Sequence, residues 1–266
     1  MTFEEFRTYA ERLYDLGVRG FILTGGGEPT LCPDFDKITG WLEDQGLDYG
    51  INTNFNILKF FRPNYLKVSL DGYDEDSYEK SRGVRKYSTV IENIKRYSEW
   101  RRTNSPKTSL GIQLVATSAE EVQRFYLANK SLDVDYIAFR PIESTGGSYY
   151  QSGAKKSEAR TITAYIRALS KVDDRVTLNF KWDMLSMREK TCSANWAQIA
   201  LNERGEVMYC CHKPYQIVGH ILDDDILAKK EAAGTNMARC DIPCRMTAPN
   251  RFVQSIAEPR TDANFI

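Results

Sequence analysis

The stretch Gly20-Phe21-Ile22-Leu23-Thr24-Gly25-Gly26-Gly27-Glu28-Pro29-Thr30 decides the fold. Residues 21–23 are a short apolar strand that runs straight into three glycines and a glutamate. Upstream, Phe3, Phe6, Tyr9, Ala10, Leu13 and Leu16 recur at helical spacing, which predicts a helix over residues 3–16 that Gly17 stops. Downstream the alternation repeats. Helices are expected over 35–43, 88–100 and 119–130, and strands over 49–53, 65–70, 109–116 and 136–140. Strands separated by helices of this length imply an α/β fold with a parallel sheet. No strand precedes the first helix, so the pattern is expected to begin part-way through.

In such folds the loops at the carboxyl ends of strands build the ligand site. TGGGE at 24–28 is one of these loops. Glycine lets a backbone approach a ligand closely. A phosphate loop would carry a lysine followed by serine or threonine, and this turn has neither. A carboxylate beside exposed carbonyls suits an ammonium group through charge-assisted hydrogen bonds. A tight strand-to-helix turn with a solvated acid fits the same residues.

Composition narrows the classes. The 266 residues are 42% hydrophobic and 27% charged, as in an ordinary globular protein. A formal net charge of zero gives no general electrostatic case for nucleic acid or an anionic membrane. No run is long and apolar enough to span a bilayer, and the N-terminus is an acidic amphipathic segment unlike a signal peptide. A cytoplasmic protein is expected. Five of the six cysteines lie beyond Lys190, which in that compartment suits metal better than bridges.

After Arg140 the texture changes. Residues 141–153 are a polar, glycine-bearing linker, 157–172 a helix and 175–180 a last strand. A hairpin is expected over 198–201 and 206–209, with its turn at 202–205. Cys192 and Cys210 stand in C-x12-G-x4-C, where Gly205 turns the hairpin so that both thiols return to one place. Cys240 and Cys244 add C-x3-C. Four thiolates so arranged suit tetrahedral zinc or an iron–sulfur cluster. Cys211 is either a buried thiol or the ligand in place of Cys210. Cys32 is assigned to packing, and His212 to a ligand or a cap.

The order of strand-end residues carries a resemblance. GGEP at 26–29, Thr53-Asn54, Ser69-Leu70-Asp71-Gly72 with Ser81-Arg82-Gly83, and Phe139-Arg140-Pro141 together resemble the radical SAM superfamily over residues 19–141. The resemblance implies a partial (β/α)6 TIM-type barrel lacking its first strand, with a small C-terminal cysteine-bearing hairpin and helix subdomain. By it, Gly26, Gly27 and Glu28 hold the ammonium of S-adenosyl-L-methionine, Ser69 and Arg140 meet its carboxylate, and Asn54 and Gln113 make nearby polar contacts. The cysteine region resembles the SPASM or Twitch domain, which implies that Cys192, Cys210, Cys240 and Cys244 hold an auxiliary [4Fe–4S] cluster. Residues 1–145 are then a partial barrel, 146–190 a linker helix with the last barrel-associated elements, and 191–266 the auxiliary subdomain. The family's C-x3-C-x2-C, which holds the cluster that reduces the cofactor, occurs nowhere in the chain. A second [4Fe–4S] cluster is expected only if a missing N-terminal segment supplies it. An absent natural N-terminus, a strand supplied by another chain, and a descendant that lost the chemistry all fit this. The implied function is a 5′-deoxyadenosyl radical enzyme, or its fragment, acting on an unidentified substrate. A catalytically inactive binding or structural component is the alternative. Without a first strand, the edge at residues 21–23 is expected to be covered by the first helix, a second copy or another protein.

Overall fold

The structure is a computed structural model that describes residues 1–141, 156–179, 182, 192–211, 213–235 and 247–257. The chain divides into two units, Met1–Ile142 with Ala154–Trp182, and Glu143–Gly153 with Asp183–Ile266.

In the first unit, six parallel strands pair in chain order: β1 (Gly20–Leu23), β2 (Asp48–Thr53), β3 (Tyr65–Ser69), β4 (Ser109–Val115), β5 (Tyr136–Arg140) and β6 (Val176–Leu178). The helices of this unit are α1 (Phe3–Asp15), which precedes β1, and α2 (Phe35–Asp44), α3 (Glu75–Arg82), α4 (Tyr87–Asn104), α5 (Ala119–Asn129) and α6 (Lys156–Leu169), which lie between strands. Local signals start them. Thr2 and Glu5 form a reciprocal capping box for α1, Asp74 and Ser77 one for α3, and Ser118 caps α5. Helix α3 was not anticipated from the sequence. Gly83, with φ of 76°, ends it in the left-handed conformation.

Strand register divides the sheet into two faces. Ile51 pairs with Leu66, Leu66 with Leu110, and Ile112 with Ile137, and all five are fully buried. Phe139 shares their face, and its ring meets Phe125 of α5 edge-on at 5.7 Å. The other face carries Gly50, Asn52, Tyr65, Lys67, Ser69, Gly111, Gln113, Tyr136 and Arg140. One face is therefore apolar and helix-covered, and the other is rich in polar groups, a consequence of the period-two geometry of a strand.

The β2–β3 connection, residues 54–64, joins parallel neighbours with no helix or strand. Aromatic packing fixes it instead. Phe55 and Phe61 each pack on Tyr97 of α4 at 5.7 Å between ring centroids, and Phe61 meets Phe35 at 5.5 Å. Tyr97 donates to Phe61 O at 2.8 Å, and Asn93 to Phe55 O at 2.9 Å, so buried backbone groups of the link find partners on the helix. Phe55 adopts φ of 58°, uncommon for an aromatic residue and held here by these contacts.

The second unit contains β7 (Ala200–Leu201), β8 (Glu206–Met208) and β9 (Ile217–His220) in an antiparallel sheet, with α7 (Ala194–Ala197), α8 (Ile226–Thr235) and α9 (Thr247–Ala257). The expected hairpin is β7–β8. Asn202 Oδ1 accepts from the backbone of Arg204 and Glu206 at 3.0 Å, and Gly205 has φ of 75°. Among the described residues, no helix is long and apolar enough to cross a membrane.

Candidate functional site

Because the strands are parallel, Leu23, Thr53, Ser69 and Arg140 end on one edge of the sheet. The TGGGE loop follows β1 there. Glu28 joins it to the next strand end: Oε1 accepts from the Thr53 hydroxyl at 2.5 Å and the Thr30 hydroxyl at 2.8 Å, and Oε2 from the Asn54 amide at 2.7 Å. Both carboxylate oxygens are thus engaged within the protein. Asn54 Oδ1 accepts from the Asn56 amide at 2.9 Å, a local turn that leaves its side-chain NH2 as the group it can offer.

The exposed glycines are not explained by the protein's own needs. Neither Gly26 nor Gly27 has a positive φ, and a Cβ built on either meets no protein atom within 4 Å. Bare backbone facing open space at a strand end provides carbonyls and amides for a ligand that approaches closely.

Beyond the loop, Ser69 and Gln113 are cross-strand neighbours on the polar face. Arg140 pairs in register with Val115 at the end of β5. Its guanidinium makes no hydrogen bond or ion pair among the described residues, and its Nε is buried without an acceptor. Asn52 Oδ1, on the same face, is also buried without a donor among the described residues. Uncommitted buried polar atoms are costly unless something satisfies them. A guanidinium in this state suits a carboxylate.

The exit of β3 is clamped. Asp71 adopts φ of 44°, its Oδ1 accepts from Val115 N at 2.7 Å, and its other oxygen pairs with Arg82. Arg82 also donates to Ser69 O at 2.8 Å. A Cβ on Gly72 would lie 2.8 Å from Tyr78 Cα, so Gly72 lets α3 seat against this loop. At the opposite end of the same face, Tyr65 opens β3 and Tyr136 opens β5. Their rings lie over Gly50 and Gly111 of the neighbouring strands, occupying the space a Cβ would take. Burial pushes both phenols above their ordinary range. Asn52, Lys67 and the Asp71–Arg82 pair were not singled out as site residues from the sequence. Counting by twos back from Ser69 would have put Lys67 on the site face.

In the second unit, Cys192 and Cys210 line one recess with Ala194, Asn195, Gln198 and Ala200. Cys210 lines it and Cys211 does not. Lys230 of α8 is only 4% exposed, and its Nζ donates to Asn195 Oδ1 at 2.8 Å and Gln198 O at 3.1 Å. Burial pulls its ammonium down to about 8, and the Cys192 and Cys210 thiolates act in the opposite direction. Two thiols sharing a recess beside a buried cation fit a thiolate-bound metal. Cys240, Cys244 and His212 lie outside the described residues. Among the described residues no group of three or more His, Cys, Asp or Glu side chains is placed to hold a metal. Cys32 Sγ lies 3.6 Å from Met1 O, well away in sequence from the other cysteines.

No family model matches the chain. It is 26% identical over 137 residues to the S-adenosyl-L-methionine-dependent tRNA 4-demethylwyosine synthase of Methanocaldococcus jannaschii, a match covering 50% of this chain and 42% of that protein. The chain thus aligns with less than half the length of this curated relative. Among solved structures it is similar to anSMEcpe with bound AdoMet, with a TM-score of 0.65 and 17% identity over 90% of this chain and 73% of that one. It is also similar to Streptococcus suis SuiB bound to S-adenosylmethionine, with a TM-score of 0.63 and 16% identity over 90% of this chain and 60% of that one. At these identities the likeness is one of fold.

Proposed function

We propose that this chain is a radical SAM protein, or a portion of one, whose six-stranded sheet is the greater part of the family's barrel and whose strand-end edge binds S-adenosyl-L-methionine. The observation that carries the reading is Arg140, uncommitted among the described residues at the end of β5, on the same edge as glycines that neither φ nor packing requires. The S-adenosyl-L-methionine dependence of the Methanocaldococcus jannaschii relative and the AdoMet and S-adenosylmethionine in the similar folds support it.

When bound and reduced by an iron–sulfur cluster, S-adenosyl-L-methionine would supply radical chemistry for hydrogen abstraction from a substrate. This chain's residues bind and orient. The backbone of Gly26 and Gly27 would receive the ammonium, Arg140 and Ser69 would receive the carboxylate, and Asn54 and Gln113 would add polar contacts. Glu28 contributes negative charge beside the ammonium while its bonds to Thr53 and Asn54 hold the loop in place. C-x3-C-x2-C is not within this sequence, so a second, reducing [4Fe–4S] cluster belongs to the reading only if a missing N-terminal segment supplies it. Cys192, Cys210, Cys240 and Cys244 are assigned to an auxiliary [4Fe–4S] cluster. The outer edge of β1, where Ile22 is 57% exposed, is where a further strand or a partner would add.

Equilibrium dialysis with S-adenosyl-L-methionine tests the reading. Arg140→Ala is expected to weaken binding about tenfold or more, the loss of one charge-assisted contact. Gly27→Val is expected to weaken it comparably while leaving the melting temperature essentially unchanged, because the new side chain meets only open space. No binding by the iron-reconstituted parent chain would turn the assignment toward the inactive structural component. A Gly27→Val protein that binds normally would remove the loop from the site.

A further inference from the structure

We propose that Lys230 is the fixed counter-charge of the metal centre at Cys192 and Cys210, a positioning residue that raises the reduction potential of the cluster those thiolates hold. The inference rests on the auxiliary-cluster reading above.

The geometry is specific. Lys230 is nine-tenths or more buried, yet among the described residues its Nζ bonds only neutral acceptors, Asn195 Oδ1 at 2.8 Å and Gln198 O at 3.1 Å. Asn195 in turn donates to Lys230 O at 2.7 Å, so the two residues lock each other. Asn195 and Gln198 line the recess together with Cys192 and Cys210, so the ammonium is bonded to two residues of the cysteine site's wall. Neutral acceptors satisfy its N–H groups but leave its charge uncompensated. Buried lysines are rare unless paired with negative charge. Ionised as metal ligands, Cys192 and Cys210 favour its charged form.

The complement holds from the metal's side. A centre bound by four thiolates carries net negative charge, and reduction adds more. A nearby fixed cation in a low-dielectric wall favours the more negative state. Net charge, hydrogen bonds to sulfur and solvent exposure are the quantities that set iron–sulfur potentials. A lysine kept only to tie α8 to α7 would need its hydrogen bonds but not its charge.

The test is potentiometry followed by electron paramagnetic resonance on the full chain, reconstituted anaerobically with iron and sulfide. Lys230→Gln is expected to keep its iron and shift the midpoint potential downward, and Lys230→Arg to retain the parent potential. Asn195→Asp leaves the lysine in place and sets a carboxylate on it, and is also expected to lower the potential. That variant decides the matter if Lys230→Gln does not fold. A parent-like potential in an iron-loaded Lys230→Gln or Asn195→Asp protein overturns the proposal. Undiminished iron in Cys192→Ser with Cys210→Ser overturns instead the cluster reading on which it rests.

Discussion

Gly111→Ala is expected to destabilise the sheet unit by about 3 kcal/mol, at the upper end of what overpacking a close-packed site costs. An ideal Cβ on Gly111 lies 2.0 Å from Tyr136 Cζ, and the two residues are cross-strand neighbours in β4 and β5. The ring covers the bare backbone of the adjacent strand, a known way to compensate a glycine within a sheet. It cannot simply swing aside. Gly111 is buried in a strand whose other face carries the fully buried Leu110 and Ile112. Gly50 under Tyr65 repeats the arrangement, with a ring atom 2.0 Å from the built Cβ, so Gly50→Ala is expected to behave alike. For a unit of this size the loss corresponds to a fall of roughly 6–12 °C in melting temperature. Thermal denaturation by circular dichroism checks it. Trimming the ring in the double variant Gly111→Ala with Tyr136→Leu should recover part of the loss. A Gly111→Ala protein as stable as the parent would mean that the ring does not occupy this space.

Glu28→Ala is expected to lower stability by about 2–3 kcal/mol in the absence of any ligand, because hydrogen bonds to a charged acceptor are the strong ones and their donors are left behind. The carboxylate accepts from Thr53, Thr30 and the Asn54 amide, and Thr53 is only 2% exposed. Glu28→Gln keeps one oxygen but turns an NH2 toward the Asn54 N–H, so it should also be less stable than the parent. Hydrogen exchange at the Asn54 amide gives a local readout, slow in the parent and faster in both variants. Denaturant unfolding gives the global one. If Glu28→Ala unfolds with the parent while losing S-adenosyl-L-methionine affinity, the glutamate acts on the ligand alone and does not hold the loop.

The alternation of helix and strand was legible because it rests on local periodicity. The apolar positions of α1 recur every three or four residues, and three of them, Phe6, Ala10 and Leu13, are buried. The hairpin of β7 and β8 was legible from Gly205 and the polar turn residues that the backbone needs there. Helix α3 was not, since Glu75–Arg82 is almost entirely polar and buries only Tyr78. Its formation depends on its caps and on the close approach that Gly72 permits. The link at 54–64 lies between two strands that periodicity did announce, but its order comes from aromatic contacts with α4 that no periodicity announces.

The strand-end positions of Glu28, Asn54, Ser69 and Arg140 followed from sequence alone, because the end of a parallel strand is set by where its apolar run stops. What those residues do at the edge was decided by tertiary structure. Glu28 meets Thr53 and Asn54 from 25 and 26 residues away, so its carboxylate is committed before any ligand arrives. Tyr136 covers Gly111 only because β4 and β5 pair in one particular register. Lys230 reaches Asn195 across 35 residues and stands by the cysteines only once α8 has packed on α7. Periodicity and turn chemistry act over a few residues and are written locally. Which polar groups satisfy one another, and which are left for a ligand, is fixed by long-range packing that brings distant side chains within hydrogen-bond reach.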